Sequence, residues 1–151
     1  MGSIFGNSRI IGADISATAV KNCREQLAGG VENVEFVEAD FFAAADLGDF
    51  DLIFDHTFFC AIDPSKRSDW AAKMGELLSV KKGRLLTIIY PLPGEHLMSK
   101  EGPPFEVTFA AYQEVLTEFG FECLKRWGNS ELPASNPKRL GREELALWQK
   151  N

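Results

Sequence analysis

Apolar residues come in short runs separated by stretches where they recur every three or four positions. Arg9 to Ala13 reads as a short strand ending at Asp14. Ser16 then predicts a helix N-cap, with Ala19, Val20, Cys23 and Leu27 at helical spacing and Gly29-Gly30 as the stop. Val34 to Val37 is a second strand, ending at Asp40 and Phe41. Phe50 to Asp55 is a third, an apolar run of the kind buried on both faces of a parallel sheet. Trp70, Ala71, Met74, Leu77 and Leu78 form one face of a second helix. Lys81, Lys82 and Gly83 close it, with cations near the helix carboxyl end.

Leu85 to Tyr90 is the most apolar strand and is expected to be central. Prolines and glycines from Pro91 to Pro104 mark a long loop. Thr108 caps a third helix with Phe109, Tyr112, Val115, Leu116 and Phe119 inward and Gly120 as its stop. Phe121 to Trp127 is another strand, and Gly128 to Gly141 is loop. Glu143 to Gln149 has helix-favouring residues, yet Leu145 and Leu147 alternate like a strand. Strands separated by helices predict an α/β fold with a mostly parallel sheet. At 151 residues, with no repeat or linker, a single domain is expected.

Composition narrows the function. Sixteen basic residues against 22 acidic, with no basic stripe, argue against nucleic acid. No apolar run approaches the ~18 residues of a membrane span, and the first six residues lack signal-peptide character. Cys23, Cys60 and Cys123 fit no zinc or disulfide framework, so reduced thiols and a cytoplasmic setting are expected.

The candidate chemistry sits at strand ends, where open α/β sheets bind ligands. A carboxylate at Asp14 can accept both hydroxyls of a ribose; it can equally be a helix-start acid. Asp40 can take the exocyclic amine of adenine while Phe41 packs on the base, or the two can be a strand-end acid and a core ring. Together the acids suggest a nucleoside across adjacent strand tips. Asp55-His56 ends the third strand, and His56 can contact a cofactor, hold a substrate or be structural. Cys60 lacks an orienting third group for nucleophilic work and is read as a buried thiol. Phe58, Phe59, Tyr90 and Phe105 can wall a pocket suited to an onium group, with core packing the alternative for at least two of them. The stiff loop Glu101-Gly102-Pro103-Pro104-Phe105 is either a lid or a rigid connection.

Several of these runs carry a family resemblance. Gly12-Ala13-Asp14-Ile15-Ser16, Ala39-Asp40-Phe41-Phe42, Phe50 to Asp55, Phe58 to Pro64, Gly102-Pro103-Pro104-Phe105 and Gly141 to Trp148 resemble the thiopurine S-methyltransferase superfamily. Within it the chain is most similar to the thiol and halide methyltransferases called harmless-to-ozone-layer proteins. The likeness runs from about Ile10 onward and is most specific over Phe58 to Pro64. It implies a class I, Rossmann-like methyltransferase fold and S-adenosylmethionine as cofactor. It implies Asp14 on the ribose, Asp40 and Phe41 around the adenine, and His56 at a contact position where relatives often place Tyr. It implies a strand, not a helix, for the last segment. The proline-rich loop usually ends in Tyr; here Phe105 lacks the hydroxyl. It implies as acceptor a small soft nucleophile such as a thiol, bisulfide, thiocyanate or halide, and a monomer is expected of a complete chain.

The pattern also departs from the family. A first strand and a Gly-x-Gly loop normally precede this segment, in the middle of the sheet between the strands ending at Asp14 and Asp55. Gly2, Gly6 and Gly12 do not follow a strand with that spacing. The chain is therefore expected to be N-terminally truncated, leaving two apolar strands without their shared neighbour. A non-catalytic remnant that pairs with a partner, or binds no cofactor, is the rival reading. A NAD-binding domain shares the acid at Asp14 but explains neither Asp40 nor the Phe58 to Pro64 run.

Overall fold

The computed structural model describes residues 8–27, 33–43, 47–79, 83–94, 102–131 and 135–151. The predicted roles of Gly29-Gly30, Lys81 and Lys82 fall outside the described residues, as do Gly2, Gly6 and Glu101. The chain divides into two compact units, Met1–Leu47 and Gly48–Asn151.

The first unit is a β-α-β crossover. Strand β1 (Ile10–Asp14) leads through helix α1 (Ala17–Leu27) to strand β2 (Val34–Glu38). The strands are parallel and in register from Ile10 opposite Val34 to Asp14 opposite Glu38. Ser16 caps α1 as predicted: its Oγ accepts the Ala19 N–H at 3.2 Å. Gly12 is needed for packing, since a Cβ there would lie 2.6 Å from the Phe36 ring.

The second unit holds strand β3 (Leu52–Asp55), helix α2 (Arg67–Leu77), strand β4 (Arg84–Ile89), helix α3 (Phe109–Glu118) and strands β5 (Phe121–Trp127) and β6 (Glu144–Lys150). The sheet order is β3-β4-β6-β5. β3 and β4 are parallel, while β6 runs antiparallel to both β4 and β5. The final segment is thus a strand. Its alternation buries Ala146 and Trp148 on one face, and that burial outweighs the helix propensity of its residues. The β6 indole donates to Thr87 Oγ1 of β4 at 3.0 Å, satisfying a polar pair inside the core. Thr108 caps α3 by accepting the Ala111 N–H, and Gly120 ends it at φ +79°. The buried face predicted for α2 is present, with Trp70, Ala71, Met74 and Leu77 all in the core.

One expectation fails. β3 is not buried on both faces: Leu52 and Phe54 are 48% and 51% exposed, whereas Asp55 is 3% exposed. Strand side chains alternate in direction, and only one face of β3 meets the core. The strands ending at Asp14 and Asp55 lie in separate sheets, and among the described residues each has one strand neighbour.

Candidate functional site

In the first unit, the tips of β1 and β2 bring Asp14, Asp40 and Phe41 together. The Ala39 N–H donates to the Asp14 carbonyl at 3.0 Å, so the chain leaves β2 alongside the end of β1. Asp14 Oδ1 accepts the Ser16 N–H at 2.7 Å, and Asp40 Oδ1 accepts the Phe42 N–H at 2.9 Å. These short loops hold two solvent-facing carboxylates on neighbouring strand ends. The bond to Ser16 also gives Asp14 its helix-start role. Phe41 is half-buried and meets Phe42 edge-on, with centroids 5.3 Å apart. The groove of about 310 Å³ beside Arg24, Leu27 and Val34 involves none of these residues.

In the second unit, a tight turn follows β3. Asp55 is buried, and its Oδ1 accepts the Phe58 N–H at 2.8 Å while Oδ2 accepts the Trp70 indole N–H at 3.0 Å. Burial pushes its pKa up to about 6, and the Phe58, Phe59 and Trp70 donors pull partly the other way. Thr57 sits at φ 68°, a strained conformation for a β-branched residue. His56 is exposed and lies edge-on to Phe54 at 5.8 Å.

The predicted aromatic wall separates into two kinds of residue. Phe59 has no exposed surface; it stacks on Tyr112 at 4.0 Å and meets Trp70 edge-on at 4.7 Å, so its ring is core. Phe58, Tyr90 and Phe105 are half-buried. The proline loop is tied to the turn after β3 by the Phe105 N–H, which donates to the Cys60 carbonyl at 2.7 Å. Cys60 is buried as expected, and desolvation, with the Asp55 charge, raises its thiol to about 11.

Arginines complete this region, and sequence reasoning missed them. Arg67 lies 4.6 Å over the Phe59 ring, and Arg139 lies 4.2 Å over Tyr90. Nε and Nη2 of Arg67 and Nη1 of Arg139 are buried without a hydrogen-bond partner. The nearest acid to Arg139 is Glu143, at 3.8 Å, beyond hydrogen-bond reach. Desolvation lowers the Arg67 pKa, and both guanidiniums act on the Cys60 thiol. Arg67 stands three residues before Trp70 and so shares its helix face; that spacing was the available signal. Arg139 ends the short 3-10 turn Pro137–Arg139, which is too short for any periodicity to mark it.

The model of the family described as thiopurine S-methyltransferase matches residues 6–151. The chain belongs to that family. Among curated members it is 38% identical over 143 residues to thiocyanate methyltransferase 1 of Arabidopsis thaliana, and 38% over 144 residues to probable thiol methyltransferase 2 of the same plant. These matches cover 93% and 94% of this chain but 60% of each relative, so the chain spans about 60% of their length. Solved structures agree on the fold. The glycopeptide N-methyltransferase MtfA, complexed with S-adenosylmethionine, matches at TM-score 0.71 and 14% identity over 95% of this chain and 72% of that one. A TehB-like S-adenosylmethionine-dependent methyltransferase from Corynebacterium glutamicum matches at 0.67 and 16%, over 95% and 68%. The fold is that of class I methyltransferases, as the family resemblance implied. Among the described residues no helix is long and apolar enough to cross a membrane.

Proposed function

We propose that this family member transfers a methyl group from S-adenosylmethionine to a small soft nucleophile: a thiol, bisulfide, thiocyanate or halide. When bound, the cofactor supplies a methyl group on an electrophilic sulfonium, open to in-line displacement. The residues present fit it. In the first unit, Asp14 and Asp40 offer acceptors for ribose hydroxyls and the adenine amine, and Phe41 offers a face for the base.

In the second unit, Phe58, Tyr90 and Phe105 offer apolar and aromatic walls that exclude water from a polarisable nucleophile. Phe59 supports that wall from within the core. A soft anion needs no general base, only position. Cys60 and Tyr112 suit that chemistry, because both hold their protons at neutral pH. The observation that carries the reading is the pair of guanidiniums at Arg67 and Arg139, whose buried N–H groups lack partners beside aromatic rings. Unpartnered buried cationic donors favour an anion. The names of the plant relatives support the same acceptor class. A monomer in a reduced, cytoplasmic setting belongs to this reading, in keeping with three cysteines that are free in the structure.

Headspace detection of methylated product from S-adenosylmethionine with thiocyanate, bisulfide or iodide tests the assignment. Product from at least one is expected; none from any, in a chain that binds the cofactor, sinks it. A second reading, a non-catalytic chain that binds no cofactor, draws on the separate sheets of β1 and β3. Calorimetry with S-adenosylmethionine separates the two, since such a chain gives no saturable heat.

A further inference from the structure

Among the described residues Asp55 is the one buried carboxylate, and the methyl-transfer chemistry above does not use it. Its two oxygens reach different parts of the second unit. Oδ1 takes the Phe58 N–H of the turn after β3, and Oδ2 takes the indole N–H of Trp70 in the first turn of α2. The Phe59 N–H also bonds it. These partners determine what lies beyond. The Phe59 ring packs against Trp70 at 4.7 Å, and the Arg67 guanidinium rests 4.6 Å over the Phe59 ring. Asp55 thus fixes both the ring beneath Arg67 and the helix turn that carries Arg67. The Thr57 backbone at φ 68° is held in the same turn, with the Cys60 thiol donating to the Thr57 carbonyl at 3.1 Å.

We propose that Asp55 is a positioning residue: its carboxylate joins the β3 tip to α2 and thereby aims the free N–H groups of Arg67. A charge buried this deeply costs stability, while an apolar substitute would leave the Phe58, Phe59 and Trp70 N–H donors without an acceptor. What the carboxylate adds is the placement of those three donors. Cys60 on the turn and Tyr112 on α3 both feel the Asp55 charge, and Arg67 on α2 acts on the same two groups with the opposite sign. Cys60 and Tyr112 stay neutral well above pH 7, so between pH 5 and 8 Asp55 is the member of this cluster that titrates.

The proposal rests on the anion reading only for its consequence in binding, and the experiment separates the two. The full chain, labelled with nitrogen-15, is titrated from pH 8 to pH 5 while the indole and arginine Nε–H resonances are followed. The Trp70 indole should move with one midpoint near pH 6, and Arg67 Nε–H should move with it. The Trp148 indole, bonded to the neutral Thr87 hydroxyl, should stay still and serves as internal control. Asp55→Asn should abolish both movements; the wild-type titration needs no variant if that one fails to fold. Thiocyanate added at pH 7.5 and pH 5 should shift Arg67 Nε–H with affinity on the order of threefold weaker at the lower pH. A Trp70 indole that does not titrate, or an Arg67 Nε–H indifferent to it, overturns the proposal. If thiocyanate moves nothing at pH 7.5, the anion reading falls, and the positioning role stands or falls on the two resonances alone.

Discussion

Replacing Phe59 by Ala gives the sharpest stability test of the second unit. The ring has no exposed surface and lies between Tyr112, Trp70 and the Arg67 guanidinium. Deleting a buried phenyl group costs about 3–5 kcal/mol, because the lost transfer energy is joined by the cavity left behind. The stacked partner and the cation over the ring each add roughly 1 kcal/mol. A total of about 5–7 kcal/mol rivals the whole stability of a small domain, so Phe59→Ala should leave this unit largely unfolded at 37 °C. Phe59→Leu keeps most of the volume and should cost about 1–2 kcal/mol. Urea unfolding followed by tryptophan fluorescence suits the measurement, since Trp70, Trp127 and Trp148 all lie in Gly48–Asn151. A loss below about 1 kcal/mol for Phe59→Ala would refute the burial argument and return Phe59 to the pocket wall.

Three further outcomes follow from the same geometry. Thr57→Gly removes the strain of a β-branched residue at φ 68°; after the added chain entropy of glycine it should gain up to about 1 kcal/mol, and a lowered urea midpoint would contradict this. The Asp55 pKa is raised to about 6 from 3.8, so the folded state binds the extra proton between those values. Stability from this group is therefore full only below about pH 3.8 and lost as pH rises through about 6, a change of roughly 3 kcal/mol across that range; urea midpoints at pH 5.0 and 7.5 should differ in that sense, and less so in Asp55→Asn. Glu144→Gln breaks the paired bonds to Arg126 at 2.8 and 3.0 Å; with Arg126 substantially exposed, the cost should stay under ~1 kcal/mol and shrink in high salt.

Much of the fold was legible because each element carried a local signal. Ser16 and Thr108 announced their helices as caps, and both hydroxyls make the expected bond. The end of the chain was ambiguous from propensity alone, and the family resemblance resolved it as the strand that buries Trp148. Leu52 and Phe54 misled because an apolar run carries no record of which face meets the core. At the candidate site, Asp14, Asp40 and Phe41 stand together because two parallel strands of equal register end side by side. Arg67 left a signal in its helical spacing to Trp70, but the guanidinium over Tyr90 was not legible, since a pairing of Arg139 with Tyr90 spans 49 positions. Asp55 read as a strand-end residue; only burial reveals that it bonds α2.

Carboxylates at adjacent strand tips are proposed to hold the cofactor's nucleoside. Isothermal titration of S-adenosylmethionine into this chain and into Asp14→Ala/Asp40→Ala tests it most directly. Saturable heat in the parent, abolished in the double variant while circular dichroism stays unchanged, is the predicted result. Equal binding by both chains, or none by the parent, would contradict it.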